Sequence, residues 1–154
     1  MDHVDQAVLA KTYEQRDRRW VVAQQIWIVL VTFASSSARM PDGEKRLTYD
    51  ALASDLGWIG RDRGMKVRSA LSLVGMYCAI NDLPMLNLLV VDPATGRPGT
   101  LALIPRENAS LASIHRKALA FRWSSIRVPS PGAFRRINVQ WNALAKHCNV
   151  EMLK

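Results

Sequence analysis

The sequence predicts a mainly α fold with one β-hairpin, and three features point there. Apolar residues recur at three- and four-residue steps in several separate stretches, the spacing that lines one side of a helix. Two short apolar runs, LNLLVV and TLALI, flank the turn-forming DPATGRPG, as in a hairpin. Proline and glycine in PDG, LGWIG and VPSPG cut the rest into pieces of helix length. At 154 residues, 49% of them hydrophobic, the chain is long enough to bury a core as one domain, 1–154.

Taken in order, Val4 to about Arg19 predicts an amphipathic helix with Val4, Ala7, Val8 and Tyr13 near one face. The stretch WVVAQQIWIVLVTFASSS is apolar nearly all round, as expected of a helix enclosed by other elements or clasped in a homodimer through 20–34. Its β-branched content leaves a buried strand as the alternative. Pro41, Asp42 and Gly43 set a turn. Thr48 stands where it can N-cap a short helix whose face is Tyr49, Leu52, Ala53 and Leu56, and Gly57 stands where it can end it. Asp62 is placed to cap a longer helix with Met65, Val67, Ala70, Leu71, Val74, Met76 and Tyr77 as its apolar positions. LNLLVV suits a buried strand, and TLALI returns as its hairpin partner with Gly96 and Gly99 near the tip. From about Glu107 a helix presents Leu111, Ile114, Ala118, Leu119 and Phe121, and it stops at VPSPG. The last helix turns Phe134, Ile137, Trp141, Leu144 and Ala145 inwards. N-terminal helices over 1–40, a helix pair with its hairpin over 47–104 and helices over 107–150 give the order of a winged-helix-like core with extra N- and C-terminal helices.

The formal net charge of +8 favours a polyanionic partner, either nucleic acid or an acidic protein surface, over simple solubility. Arg61, Arg63, Lys66 and Arg68 cluster where a helix start adds its own positive end and free N–H groups, although Asp50, Asp55 and Asp62 lie close by in sequence. Arg97 occupies the expected hairpin tip. After Glu107 no acidic residue occurs until Glu151, yet Arg116, Lys117, Arg122, Arg127, Arg135, Arg136 and Lys146 do. Like charges repel, so such a one-sided segment implies an outside anion. Trp123 and Trp141 are interleaved with these cations, where they either stack on bases or anchor the core, the core being the preferred reading. The candidate DNA contacts are therefore Arg61, Arg63, Lys66, Arg68, Arg97, Arg116, Lys117, Arg122, Arg127, Arg135 and Arg136.

Other chemistry finds little support. Cys78 and Cys148 form no CxxC pair, which argues against a disulfide framework or a zinc cluster and for a reducing, cytoplasmic setting. His3, His115 and His147 are scattered, with no carboxylate spaced to orient a base or complete a metal site, so neither enzyme activity nor a metal or cofactor is expected. The opening MDHVDQAVLAK lacks the basic start of a secretory signal, and IWIVLVTFA is too short to span a bilayer.

TYDALASDLG, KVRSAL and LVVDPATGRPG, within Thr48 to Gly99, resemble the winged-helix domain of DNA alkylguanine alkyltransferases and their catalytically silent alkyltransferase-like relatives. The resemblance implies a first helix begun by Thr48 and Tyr49, a basic second helix that enters the minor groove, and a valine pair before the wing. Active members carry Pro-Cys-His-Arg just before that pair, where a thiolate activated by the histidine accepts the alkyl group. This chain has LNLL, Leu86 to Leu89, so the nucleophile position falls on Asn87 and transfer is not expected. The family's arginine that fills the space of an extruded base falls near Met65, with Arg63 two places earlier; base flipping needs such a wedge plus a pocket for the extruded base. The wider run through FRW and VPSP is also similar to small uncharacterised bacterial proteins found near mobile elements. The resulting expectation is a non-enzymatic winged-helix protein that binds duplex DNA mainly through phosphates. The alternative is an interaction or inhibitor protein from a mobile element that docks its basic face on an acidic partner.

Overall fold

In the computed structural model, residues 13–36, 46–60, 63–99, 102–106 and 109–153 are described, Arg63 as backbone alone. The stretch that is apolar nearly all round forms the central helix, α1, Arg19–Ser35. It packs against α3 (Arg63–Ile80), α4 (Leu111–Ala120) and α5 (Pro131–Leu144), which is why it needs apolar residues on more than one side. Val22, Ala23, Ile26, Trp27, Leu30 and Ala34 are buried. Trp27 is 1% exposed. Its ring meets Tyr77 edge-on at 5.2 Å and Trp123 nearly perpendicular at 5.6 Å. Pairs of this geometry add about 0.5–1.5 kcal/mol beyond burial. The stretch thus fills the chain's own core, with Ile28 and Thr32 among its exposed positions.

The helix expected over 4–19 is corrected where it can be followed. Residues 13–18 are not helical, and 4–12 lie outside the described residues. Asp17 Oδ2 accepts the Glu14 N–H at 2.6 Å, so a side chain competes for the backbone donor and closes a turn. A tertiary grip adds to this: Gln15 Nε2 donates to Ile59 O at 2.9 Å, and Ile59 N–H donates to Gln15 Oε1 at 3.0 Å.

The helix pair follows the sequence closely. In α2, Tyr49–Asp55, Thr48 Oγ1 accepts the Ala51 N–H at 3.1 Å, and Gly57 leaves the helix at φ +75°. Tyr49, Leu52, Ala53 and Leu56 are all buried. In α3, Val67, Ala70, Leu71, Val74 and Met76 are buried as expected, whereas Met65 is 76% exposed. Asp62, its expected cap, lies outside the described residues, as does the Pro41–Gly43 turn.

The hairpin is the main correction. LNLL forms a 3-10 turn, Leu86–Leu89, and only Val90–Val91 is strand, β2. β2 pairs in parallel with β1, Leu47–Thr48, while β3, Leu103–Pro105, pairs antiparallel with β4, Val150–Met152. Among the described residues the two runs therefore flank a turn without pairing with each other. Asp92 N–H donates to Arg97 O and Gly96 N–H to Asp92 O, both at 2.8 Å, with Gly96 at φ +66°. Beyond it, Gly99 N–H donates to the Tyr49 hydroxyl at 2.8 Å, which ties the chain to the start of α2. Thr100 and Leu101 lie outside the described residues.

Serines start the last two helices: Ser110 Oγ accepts from Ser113 N–H, and Ser130 Oγ from Ala133 N–H, each at 3.1 Å, with Pro131 beginning α5. One hydrophobic cluster runs from Val22 in α1 to Ile137 in α5. The fold is thus mainly helical with short strands. No helix among the described residues is long and apolar enough to cross a membrane.

Candidate nucleic-acid interface

Only the first half of α3 reaches solvent on a broad front. Met65, Lys66, Arg68 and Ser69 are exposed, while Val67 and Ala70 are buried. Met65, Arg68, Ser69 and Ser72 fall at three- and four-residue steps, so they share one face. That face walls a cavity of about 460 Å³, to which α2 contributes Tyr49, the 3-10 turn Asn87, β4 Met152 and α1 Arg19.

Three elements meet at its mouth. The Arg68 guanidinium lies over the Tyr49 ring, 4.6 Å from the centroid. A Cβ on Gly99 would sit 3.0 Å from the Tyr49 hydroxyl and 3.1 Å from Arg68 Nη1, so glycine permits the 92–99 turn to come this close. A Cβ on Gly96 would sit 2.8 Å from Arg46 Nη1. Arg46, Arg68 and the exposed Arg97 thus share the surroundings of one turn.

Asn87 is 4% exposed. Its Nδ2 donates to Leu103 O at 3.0 Å, while Oδ1 has no hydrogen-bond partner among the described residues. A buried acceptor left unpaired costs roughly 1–3 kcal/mol. The residue where the resemblance implies a nucleophile is therefore a carboxamide with spare hydrogen-bonding capacity and no thiol. Cys78 is fully buried, and desolvation pushes its thiol up to about 12 against the opposing hydrogen bond from the Leu86 backbone. Burial also raises Cys148. A thiol held protonated is a poor nucleophile.

A smaller cavity of about 170 Å³ adjoins the first and shares Arg19 and Ser69 with it. Arg16, Asp17, Trp58 and Lys66 also line it. Arg19 Nε donates to Ser69 O and Nη1 to Asn138 Oδ1, both at 2.7 Å, and burial lowers its pKa. Next to it in sequence, the Trp20 ring has the guanidinium carbons of Arg18 and Arg135 each 5.6 Å from its centroid.

Of the residues singled out from the sequence, Arg68 lines the larger cavity and Lys66 the smaller, Arg97 stands in the turn that leads to Gly99 beside Arg68, and Arg135 lies over Trp20. Arg116 and Lys117 on α4, Arg122 and Arg127 before α5, and Arg136 on α5 are exposed and line neither cavity. Arg61 and the Arg63 side chain lie outside the described residues. Sequence reasoning overlooked Arg16, Arg18, Arg19 and Arg46; the signal was the run Arg16-Asp17-Arg18-Arg19, absorbed into a helix that does not form there. Trp123 is 2% exposed and donates Nε1–H to Ala118 O at 2.7 Å, so it anchors the core and offers no stacking platform. His115 is buried with Nε2 against Leu88 O, and His3 lies outside the described residues.

Arg16 pairs with Glu14 at 2.8 Å. Among the described residues, Lys66, Arg97, Arg116, Lys117, Arg122, Arg127, Arg135 and Arg136 have no carboxylate within ion-pair distance. No group of three or more histidine, cysteine or acidic side chains among the described residues is placed to hold a metal ion. No family model, curated protein or solved structure matches the chain.

Proposed function

We propose that the protein is a non-enzymatic DNA-binding protein of winged-helix type, gripping duplex DNA mainly through phosphates. The reading rests on the helix pair α2 and α3 and on the Asp92–Arg97 turn that follows them in the chain order of a wing. The observation that carries it is the set of cations without acidic partners, part of which rings the exposed start of α3. Positive side chains left unneutralised cost little in water and gain strongly when they displace the counterions of a polyphosphate.

The cavity beside α3 gives the reading a centre. Base flipping needs a wedge and a pocket. Met65 is an exposed apolar side chain at the cavity edge, of the kind that unstacks a base step, and the cavity volume is in the range of ordinary ligand sites. With Asn87 at the position of the nucleophile, the site reads by hydrogen bonding and transfers nothing.

The test is a mobility shift with random duplex DNA at low and moderate salt. Tight binding that weakens steeply with salt is expected. Absence of any shift at low salt overturns the reading and favours docking of the same basic face on an acidic protein.

A further inference from the structure

The smaller cavity carries an assignment of its own. Trp58 is 3% exposed, and its indole Nε1–H has no hydrogen-bond partner among the described residues. An indole nitrogen only donates, so whatever satisfies it must accept. The side chains around the same cavity are mostly donors as well: the Arg19 guanidinium from α1, the Lys66 ammonium and Ser69 hydroxyl from α3, and Arg16. Among the described residues Asp17 is the one carboxylate lining it, and its Oδ2 already accepts the Glu14 N–H. Gln15, the remaining acceptor, is engaged at both ends of its amide by Ile59.

From this geometry we infer that the cavity framed by Trp58, Arg19, Lys66 and Ser69 is a phosphate oxyanion subsite. Among the described residues Arg19 and Lys66 line it without an ion-pair partner, Arg16 being paired with Glu14, and donors arrive from three separate chain segments, as a tetrahedral group with several acceptor oxygens requires. About 170 Å³ is room enough for such a group. The phosphate is either free or part of a nucleic-acid backbone. In the second case the inference rests on the DNA-binding reading and adds to it a fixed anchoring point next to Met65.

The test follows the indole Nε1–H resonances of protein labelled with 15N-tryptophan, five in all. Trp58 is assigned by Trp58→Phe or, should that variant fail to fold, as the resonance perturbed by the exposed substitution Lys66→Gln. Inorganic phosphate, sodium chloride at matched ionic strength and a short duplex are titrated separately. A saturable shift of the Trp58 signal with phosphate, absent with chloride and weakened three- to tenfold by Lys66→Gln, supports a site for phosphate itself. A shift with duplex alone also supports the subsite and identifies backbone phosphate as its source. If duplex binds by mobility shift while the Trp58 signal stays still in every titration, the subsite is refuted and DNA binding stands. A signal that responds to phosphate in a protein that retards no duplex keeps the subsite and removes the DNA reading. Equal response to chloride refutes the subsite, leaving water as the indole's partner.

Discussion

The Arg68 guanidinium carbon stands 4.6 Å from the centre of the Tyr49 ring, and the hydroxyl of that same ring accepts the Gly99 N–H at 2.8 Å. One side chain thereby fixes α2 to the exposed start of α3 by its face and to the 92–99 turn by its tip. Gly99 is buried, so its N–H has no ready substitute for this acceptor. Tyr49→Phe keeps the ring and removes the oxygen. It is expected to lower stability by about 1–2 kcal/mol in urea unfolding, with the denaturant slope unchanged.

Arg68 and Lys66 are exposed and lie on the face proposed to meet DNA. Arg68→Gln and Lys66→Gln should each weaken duplex binding at low salt and reduce the slope of log affinity against log salt by about one. Fluorescence anisotropy over a salt series reads this. Unchanged slopes in both variants would mean that neither side chain touches a phosphate.

Arg135 and Arg136 are neighbours in sequence with different surroundings. Arg135 lies against Trp20 and shares that ring with Arg18, whereas Arg136 is exposed and, among the described residues, is not over that ring. Arg135→Glu is therefore expected to reduce DNA affinity severalfold more than Arg136→Glu, with thermal unfolding of both close to that of the parent. Equal losses would show that total charge matters and the grouping does not.

Gly75 on α3 faces the Asn87 side chain so closely that a Cβ there would sit 2.8 Å from both Cγ and Nδ2. Gly75→Ala should overpack this contact and destabilise by about 1–3 kcal/mol. Because the clash is with one side chain, Asn87→Ala should relieve part of it, and the double variant should be more stable than the sum of the two single effects. Strict additivity in urea unfolding would disprove the contact.

The Cys78 thiol, ordinarily ionising near 9.0, is pushed up to about 12 by burial, so the folded state holds its proton where the unfolded chain has begun to lose it. The contribution is fully present below about pH 9 and is lost as pH rises from there towards 12, at up to roughly 1.4 kcal/mol per pH unit. Cys78→Ala should flatten the alkaline decline in the urea midpoint relative to the parent. In the native protein at pH 8, a thiol reagent should label the half-buried Cys148 first and Cys78 only on unfolding.

What the sequence revealed, and what it hid, divides by the range of the interactions. Thr48 and Gly57 announce the ends of α2 because capping and left-handed backbone are local chemistry. The apolar spacing of α3 and the all-round character of α1 likewise predict their burial. The strand pairings are invisible for the opposite reason. β1 is two residues long and finds its parallel partner in β2, far along the chain, while β4 reads as an unremarkable tail. The turn between LNLLVV and TLALI was legible, but its capture by Tyr49 was not, since nothing near Gly99 in sequence signals a phenol. The interface divides in the same way. Lys66 and Arg68 were evident as charges at a helix start, whereas Arg16 and Arg19 joined Lys66 around one cavity only because a turn replaced the expected helix and because distant residues hold that turn in place.

Gln15 holds Ile59 by both of its backbone polar groups, as a neighbouring strand would. Displacing the segment that bears Arg16 from Ile59 therefore costs two hydrogen bonds at once. A group seated against Lys66 would meet Arg16 in the same cavity, held there by that double tie.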